Sequence, residues 1–219
     1  MDLEQLKQQG LVWNFDQQQP FLRQATGYTA LDDVLLGGWP AHDVIEVISP
    51  AFCGENRLFW PWLIQQQGLR FWINPPSPLY GAALPESIRP YCLQVDTKNA
   101  ADALWATEQC LQSGRAAAVF LWSHEPLNIS QTKKLQLAAS HGQTPLMLFS
   151  QPRPHYLPLP LSLSLELQPR AEGLQIHVKK LKGARSGSSC FLSWQQLYPA
   201  LPLSPVLTQT GTWHQASGL

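Results

Sequence analysis

The sequence predicts an open α/β domain, a mainly parallel sheet flanked by helices with antiparallel strands added at its C-terminal edge. Three observations carry this. Between residues 44 and 149, short and nearly all-apolar runs alternate with stretches of helical spacing, as βαβ units do. After residue 162 the texture changes to alternating apolar and polar residues, the pattern of strands with one covered face. A chain of 219 residues that is 44% hydrophobic has enough apolar side chains for one sizeable core, and no internal repeat or second-domain boundary is visible.

Taken in order, the first element is a short helix that Thr29 is placed to cap, carrying Leu31, Val34 and Leu35 and stopped by Gly37-Gly38. Val44-Ile45-Glu46-Val47-Ile48 follows as a strand covered on both faces. A helix over residues 55–67 contains Pro61, a kink or early break. Strands are then expected at 69–73, 91–95, 117–122 and 145–149, with helices at 100–113 and 130–141. The edge strands fall at 162–168 and 174–180. The domain organisation is an N-terminal arm (1–25), one domain (26–197) and a Pro/Ser/Thr-punctuated tail (198–219).

Composition limits the function. Lys+Arg and Asp+Glu both number 15, so the net charge is zero and no general attraction to nucleic acid or anionic lipid operates. No run approaches the roughly 20 apolar residues of a membrane helix, and the first residues, MDLEQLKQQG, lack the basic and then apolar order of a signal peptide. The expectation is a cytoplasmic protein. Cys53, Cys92, Cys110 and Cys190 are far apart, without a CxxC pair or a His cluster, and read as reduced thiols; no metal is expected. Of nine Trp, most are assigned to the core, with Trp13, Trp194 and Trp213 at or outside its edges.

The motif that carries chemistry is one that has lost it. Thr26-Gly27-Tyr28-Thr29-Ala30-Leu31-Asp32, then Leu35, Gly37-Gly38 and Pro40, resembles the segment that leads into the phosphate-loop strand of the recombinase RecA. The resemblance implies a RecA-like, P-loop-type core. In its register, residues 49–58 stand where G-x-x-x-x-G-K-[ST] belongs. A working loop needs a glycine-rich backbone, a Lys for the β/γ-phosphates and a hydroxyl for Mg²⁺. Gly54 remains, but Glu55 takes the lysine position, Asn56 the hydroxyl position, and Phe52 fills the loop. The strand ending at Ile73 meets Asn74-Pro75-Pro76 instead of a catalytic carboxylate. The strand ending at Trp122 meets Ser123 instead of a magnesium-associated Asp, with Glu125 the nearest substitute. No nucleophile triad is visible, so the expectation is a protein without catalysis and without a cofactor.

Gly37-Gly38-Trp39-Pro40, Gly54-Glu55-Asn56-Arg57-Leu58, Asn74-Pro75-Pro76, the helix Ala103-Leu104-Trp105-Ala106-Thr107-Glu108-Gln109, Leu121-Trp122 and Leu135-Gln136-Leu137-Ala138-Ala139, in that order, resemble the ImuA family. Val178-Lys179-Lys180-Leu181-Lys182-Gly183 approximates a further basic stretch of it. The resemblance spans roughly residues 26–194. It implies a RecA-like accessory protein of SOS-induced translesion synthesis, an adaptor for an ImuB-type Y-family-like protein and a C-family error-prone polymerase, with RecA as a further partner. The related cell-division inhibitor SulA, which binds FtsZ, shares the middle pattern of Leu111, Gly114, Val119 and Trp122 but generally lacks the segment 26–50 and the basic strand. Two surfaces are candidates for contact. Lys179, Lys180, Lys182 and Arg185 form a basic cluster for DNA or a partner, or else a solvated hairpin tip. Trp13 and Phe15 lie on the arm that would dock on a neighbouring protein.

Overall fold

The computed structural model describes residues 22–50, 52–123, 125–152, 159, 161–183 and 187–199. Eight strands form its sheet: β3 (Val44–Ile48), β4 (Leu69–Ile73), β5 (Cys92–Val95), β6 (Ala116–Trp122), β7 (Leu146–Ser150), β8 (Leu163–Arg170), β9 (Gly173–Leu181) and β10 (Ser189–Ser193). Their order is β10-β9-β8-β3-β7-β6-β4-β5. From β8 to β5 every pairing is parallel. β9 and β10 are antiparallel additions. Ahead of the sheet, β1 (Arg23–Gln24) pairs with β2 (Trp39–Pro40), so the last residues assigned to the arm are already within the fold.

All five residues of β3 are buried, because helices cover both faces there. On one side lie α1 (Thr29–Val34), a 3-10 turn (Glu55–Phe59) and α2 (Trp60–Leu63); their Leu31, Leu58, Phe59 and Trp62 join Ile45, Val47 and Phe120 in a common core. On the other lie α3 (Ala100–Gln112) and α4 (Ile129–His141), which pack Leu111, Leu135 and Ala139 on Val44, Val119 and Leu148. Glu108 and Lys134 join these two helices through an ion pair of 2.6 Å. The buried Glu46 of β3 accepts a hydrogen bond from Ser164 Oγ at 2.6 Å, and Asp43 accepts from Ser162 Oγ and Gln136 Nε2; both carboxylates thereby staple β8 to β3.

Four of the tryptophans are core, as expected: Trp39, Trp62, Trp72 and Trp122. Trp105 is not, at 64% exposed on the outer side of α3. The buried rings form a stack running across the sheet. Trp72 lies 4.2 Å from Phe120 and Trp122 lies 4.4 Å from Phe149, each pair within 7° of parallel, and Phe59 meets Phe120 edge-on at 5.8 Å. A second buried device is Arg70, 2% exposed, whose guanidinium donates to the Leu63, Gln66 and Gly68 carbonyls and so closes the end of α2. Burial lowers its pKa. Among the described residues no helix is long and apolar enough to cross a membrane, and all four cysteines are free thiols.

Four local expectations change. Thr29 does not cap α1; Tyr28 is the N-cap residue without a side-chain bond, and the entry is instead held by Thr26, whose Oγ1 accepts from the Tyr28 N–H and whose own N–H donates to Asp32. The helix at 55–67 is a 3-10 turn followed by four residues of α2, with Pro61 in the first helical turn, where no N–H is needed and no kink arises. β8 runs antiparallel to β9, as expected, but parallel to β3, and the edge is completed by β10, a strand the sequence reading did not include. Tyr198, assigned to the tail, packs against the core.

Replacing Phe120 by Ala removes the ring shared by the stack and is expected to cost about 3–5 kcal/mol of stability, read from urea unfolding; a loss below about 1 kcal/mol would show that the stack does not hold the sheet. Gly38→Ala is expected to detach β1 from β2, because φ is +114° and the added Cβ would lie 2.0 Å from the Gln24 carbonyl oxygen. Hydrogen exchange at Ala41, whose N–H donates to Leu22 across this ribbon, measures it.

Candidate functional site

In a parallel α/β sheet, ligands meet the protein beyond the C-terminal ends of the strands. Here that rim is formed by Ser49 after β3, Asn74 after β4, Ser123 after β6 and Ser150 at the end of β7. The chain leaves β3 through Ser49 and Pro50 into the loop predicted to be a degenerate phosphate site. Phe52 (φ +62°) and Gly54 (φ +84°) both take left-handed backbone there, so the loop does turn sharply on itself.

Its interior is occupied by its own side chain. Glu55, at the lysine position, is 3% exposed, and its Oε2 accepts a 2.9 Å hydrogen bond from the Cys53 N–H. A carboxylate thus takes a backbone donor of the kind that such loops aim at phosphate. Burial pushes the neighbouring Cys53 thiol up to about 12, and the Glu55 charge adds to this. Asn56 is half-buried, and its side chain supplies no hydroxyl. Arg57 turns outward, its guanidinium 3.7 Å above the Trp60 ring and 4.5 Å above that of Tyr198. The wall also crowds Gly54: a Cβ there would lie 3.1 Å from the Tyr198 hydroxyl and 3.3 Å from Trp194, so these rings would have to give by a few tenths of an ångström.

The other positions expected to carry catalytic groups are also committed elsewhere. Asn74 donates from Nδ2 to Thr97 Oγ1 at 2.9 Å and accepts from the Thr97 N–H at 2.8 Å, tying the end of β4 to that of β5. Trp122, at the magnesium-associated position, is stacked on Phe149. Between Glu55, Trp122, Ser123 and Ser150 the remaining cavity is about 40 Å³. Glu125 does not enter it. That residue is exposed, on the rim of a separate cavity of about 420 Å³ beyond β4, β5 and β6, together with Asp96, Thr97 and Lys98.

The basic residues are partly engaged. Lys179 is 3.1 Å from Glu166 and Lys180 Nζ donates to the Leu159 carbonyl at 2.8 Å; Lys182 is exposed on the turn that follows. The Lys179 hydrogen bond holds the Glu166 carboxyl below the usual range, against the opposing effect of its partial burial. Stability from this pair is therefore present above the ordinary carboxylate pKa and lost as pH falls through the lowered one. Arg185, Trp13, Phe15 and Trp213 lie outside the described residues. The sequence reading placed Glu55 in the loop but missed its bond to the Cys53 N–H, and it missed the aromatic wall of Trp60, Trp194 and Tyr198. The Gly-Glu dipeptide signalled the first; nothing local signalled the second, which joins residues far apart in the chain.

No protein-family model matches the sequence, and no curated protein matches it. Among solved structures, the crystal structure of the RadB recombinase is similar with a TM-score of 0.63 at 13% identity, over 77% of this chain and 94% of that one. Such a likeness is one of fold, and the domain has the RecA-like fold.

Glu55→Ala is expected to destabilise the protein by about 1–3 kcal/mol, because a buried N–H loses its acceptor, whereas Glu55→Gln, which keeps an oxygen, costs less. Equal denaturation midpoints for the two variants would show that the hydrogen bond to Cys53 is not what holds the loop.

Proposed function

We propose that this chain is a non-catalytic RecA-like accessory protein of SOS-induced error-prone translesion synthesis, an adaptor of ImuA type that joins an ImuB-type protein to a C-family polymerase. The observation that carries this reading is the buried Glu55 carboxylate, turned back onto the loop's own Cys53 N–H. A nucleotide triphosphate would meet a fixed negative charge where it needs an ammonium group, and like charges at close range repel strongly away from bulk water.

A scaffold without nucleotide chemistry keeps its surfaces. The ordered set of sequence blocks favours ImuA among RecA-like proteins, and the 26–50 segment favours it over SulA: that segment supplies α1, β2 and the central strand β3, and so is integral to the domain. Trp13 and Phe15 on the arm are the proposed anchors for the ImuB-type partner. Contact with DNA is weak or indirect, since Lys179 and Lys180 already have protein partners.

Calorimetric titration with Mg-ATP is expected to give no heat of binding, and micromolar affinity would overturn the non-catalytic reading. Removal of residues 1–21, which leaves β1 in place, or Trp13→Ala is expected to weaken capture of an ImuB-type protein; unchanged capture by both would refute the arm as the anchor. In cells, loss of the gene is expected to lower damage-induced mutation with normal division. Filamentous cells with unassembled FtsZ on overproduction would favour the division inhibitor instead.

A further inference from the structure

Pro50, Phe52, Gly54, Pro169, Trp194 and Tyr198 line a groove of about 470 Å³ on the outer side of the loop. Its walls are already fixed. The Trp194 indole donates from Nε1 to the carbonyls of Arg170 and Ala171 at 3.2 and 3.1 Å, Tyr198 stands edge-on to it at 6.2 Å, and Arg57 backs the Tyr198 ring. Phe52 is the unexplained member. It holds a left-handed backbone, which costs about 1–3 kcal/mol for a residue of this size, only to present a ring that is 71% exposed. Turn formation alone favours Gly or Asn at that position. A large aromatic kept there at such cost points to something that covers it.

The groove has the chemistry of a polyproline site: aromatic faces and proline rings, with few polar groups. A segment of matching chemistry begins one residue beyond Tyr198. Pro199, Pro202 and Pro205 recur at every third position, and no Asp, Glu, Lys or Arg occurs from residue 198 to residue 219. A polyproline II helix has three residues per turn, so this spacing places the three prolines along one edge. At about 3.1 Å per residue, residues 199–205 reach about 20 Å, and their covalent attachment to Tyr198 gives a local concentration in the millimolar range. We propose that residues 199–205 of this same chain dock in the groove as a polyproline II segment, clamped between Phe52 and the Trp194–Tyr198 wall. This assignment stands apart from the translesion reading and holds or fails on its own observations.

The test uses the full chain labelled with 5-fluorotryptophan, with the Trp194 fluorine resonance assigned through Trp194→Phe. In the wild type, Trp194 is expected to show the small H₂O/D₂O shift of a covered ring. The double substitution Pro202→Ser with Pro205→Ser, and separately Phe52→Ser, are each expected to move Trp194 to the larger isotope shift of an exposed ring. The resonances of the buried Trp39 and Trp62 should stay in place, which checks that both variants remain folded. An unmoved Trp194 resonance in the proline variant overturns the proposal even if Phe52→Ser misfolds. A wild-type shift that changes on dilution assigns the groove to a second copy of the chain and also overturns it.

Discussion

A five-residue strand buried on both faces, β3, is the constraint from which the rest of the architecture follows. Its two sides must each be covered by helices, which obliges the chain to cross over the sheet in both directions, and its two edges must each be paired. β7 takes one edge and β8 the other. Such a position tolerates a carboxylate only with partners, and Glu46 and the adjoining Asp43 use theirs to fix β8, the strand from which the antiparallel edge grows. The C-terminal third of the domain is thus registered by polar bonds to the centre as well as by apolar packing.

The same strand determines where the loop at its C-terminal end sits. The loop takes left-handed backbone at Phe52 and Gly54, and the negative charge inside it is its own Glu55. Within the loop the Glu55 carboxylate accepts a hydrogen bond from the Cys53 N–H, and the aromatic stack ends beside it at the paired rings of Trp122 and Phe149.

Much of this was legible in the sequence, for a physical reason. The buried strands are continuous apolar runs and the long helices α3 and α4 carry their own caps, Asn99 and Asn128, so local composition and tertiary environment agree. At the loop the sequence reads Glu55 in place of Lys, a change of sign, and the structure adds where that carboxylate goes, onto the Cys53 N–H. Where local signals conflict with packing, reading failed. The segment 55–67 has helical composition but is broken by the loop's own geometry, and β10 is a strand only because β9 offers an edge to pair with. The aromatic wall around Arg57 joins residues more than a hundred positions apart, a proximity that no local pattern encodes.

Gly54 is constrained by its neighbours as well as by its backbone angle. In a phosphate loop, glycine leaves room for a ligand; here the room on its outer side is taken by Trp194 and Tyr198, which would not admit a methyl group without shifting. The residue is therefore under a steric requirement imposed by the protein's own side chains. A substitution there reports on the seating of two aromatic rings.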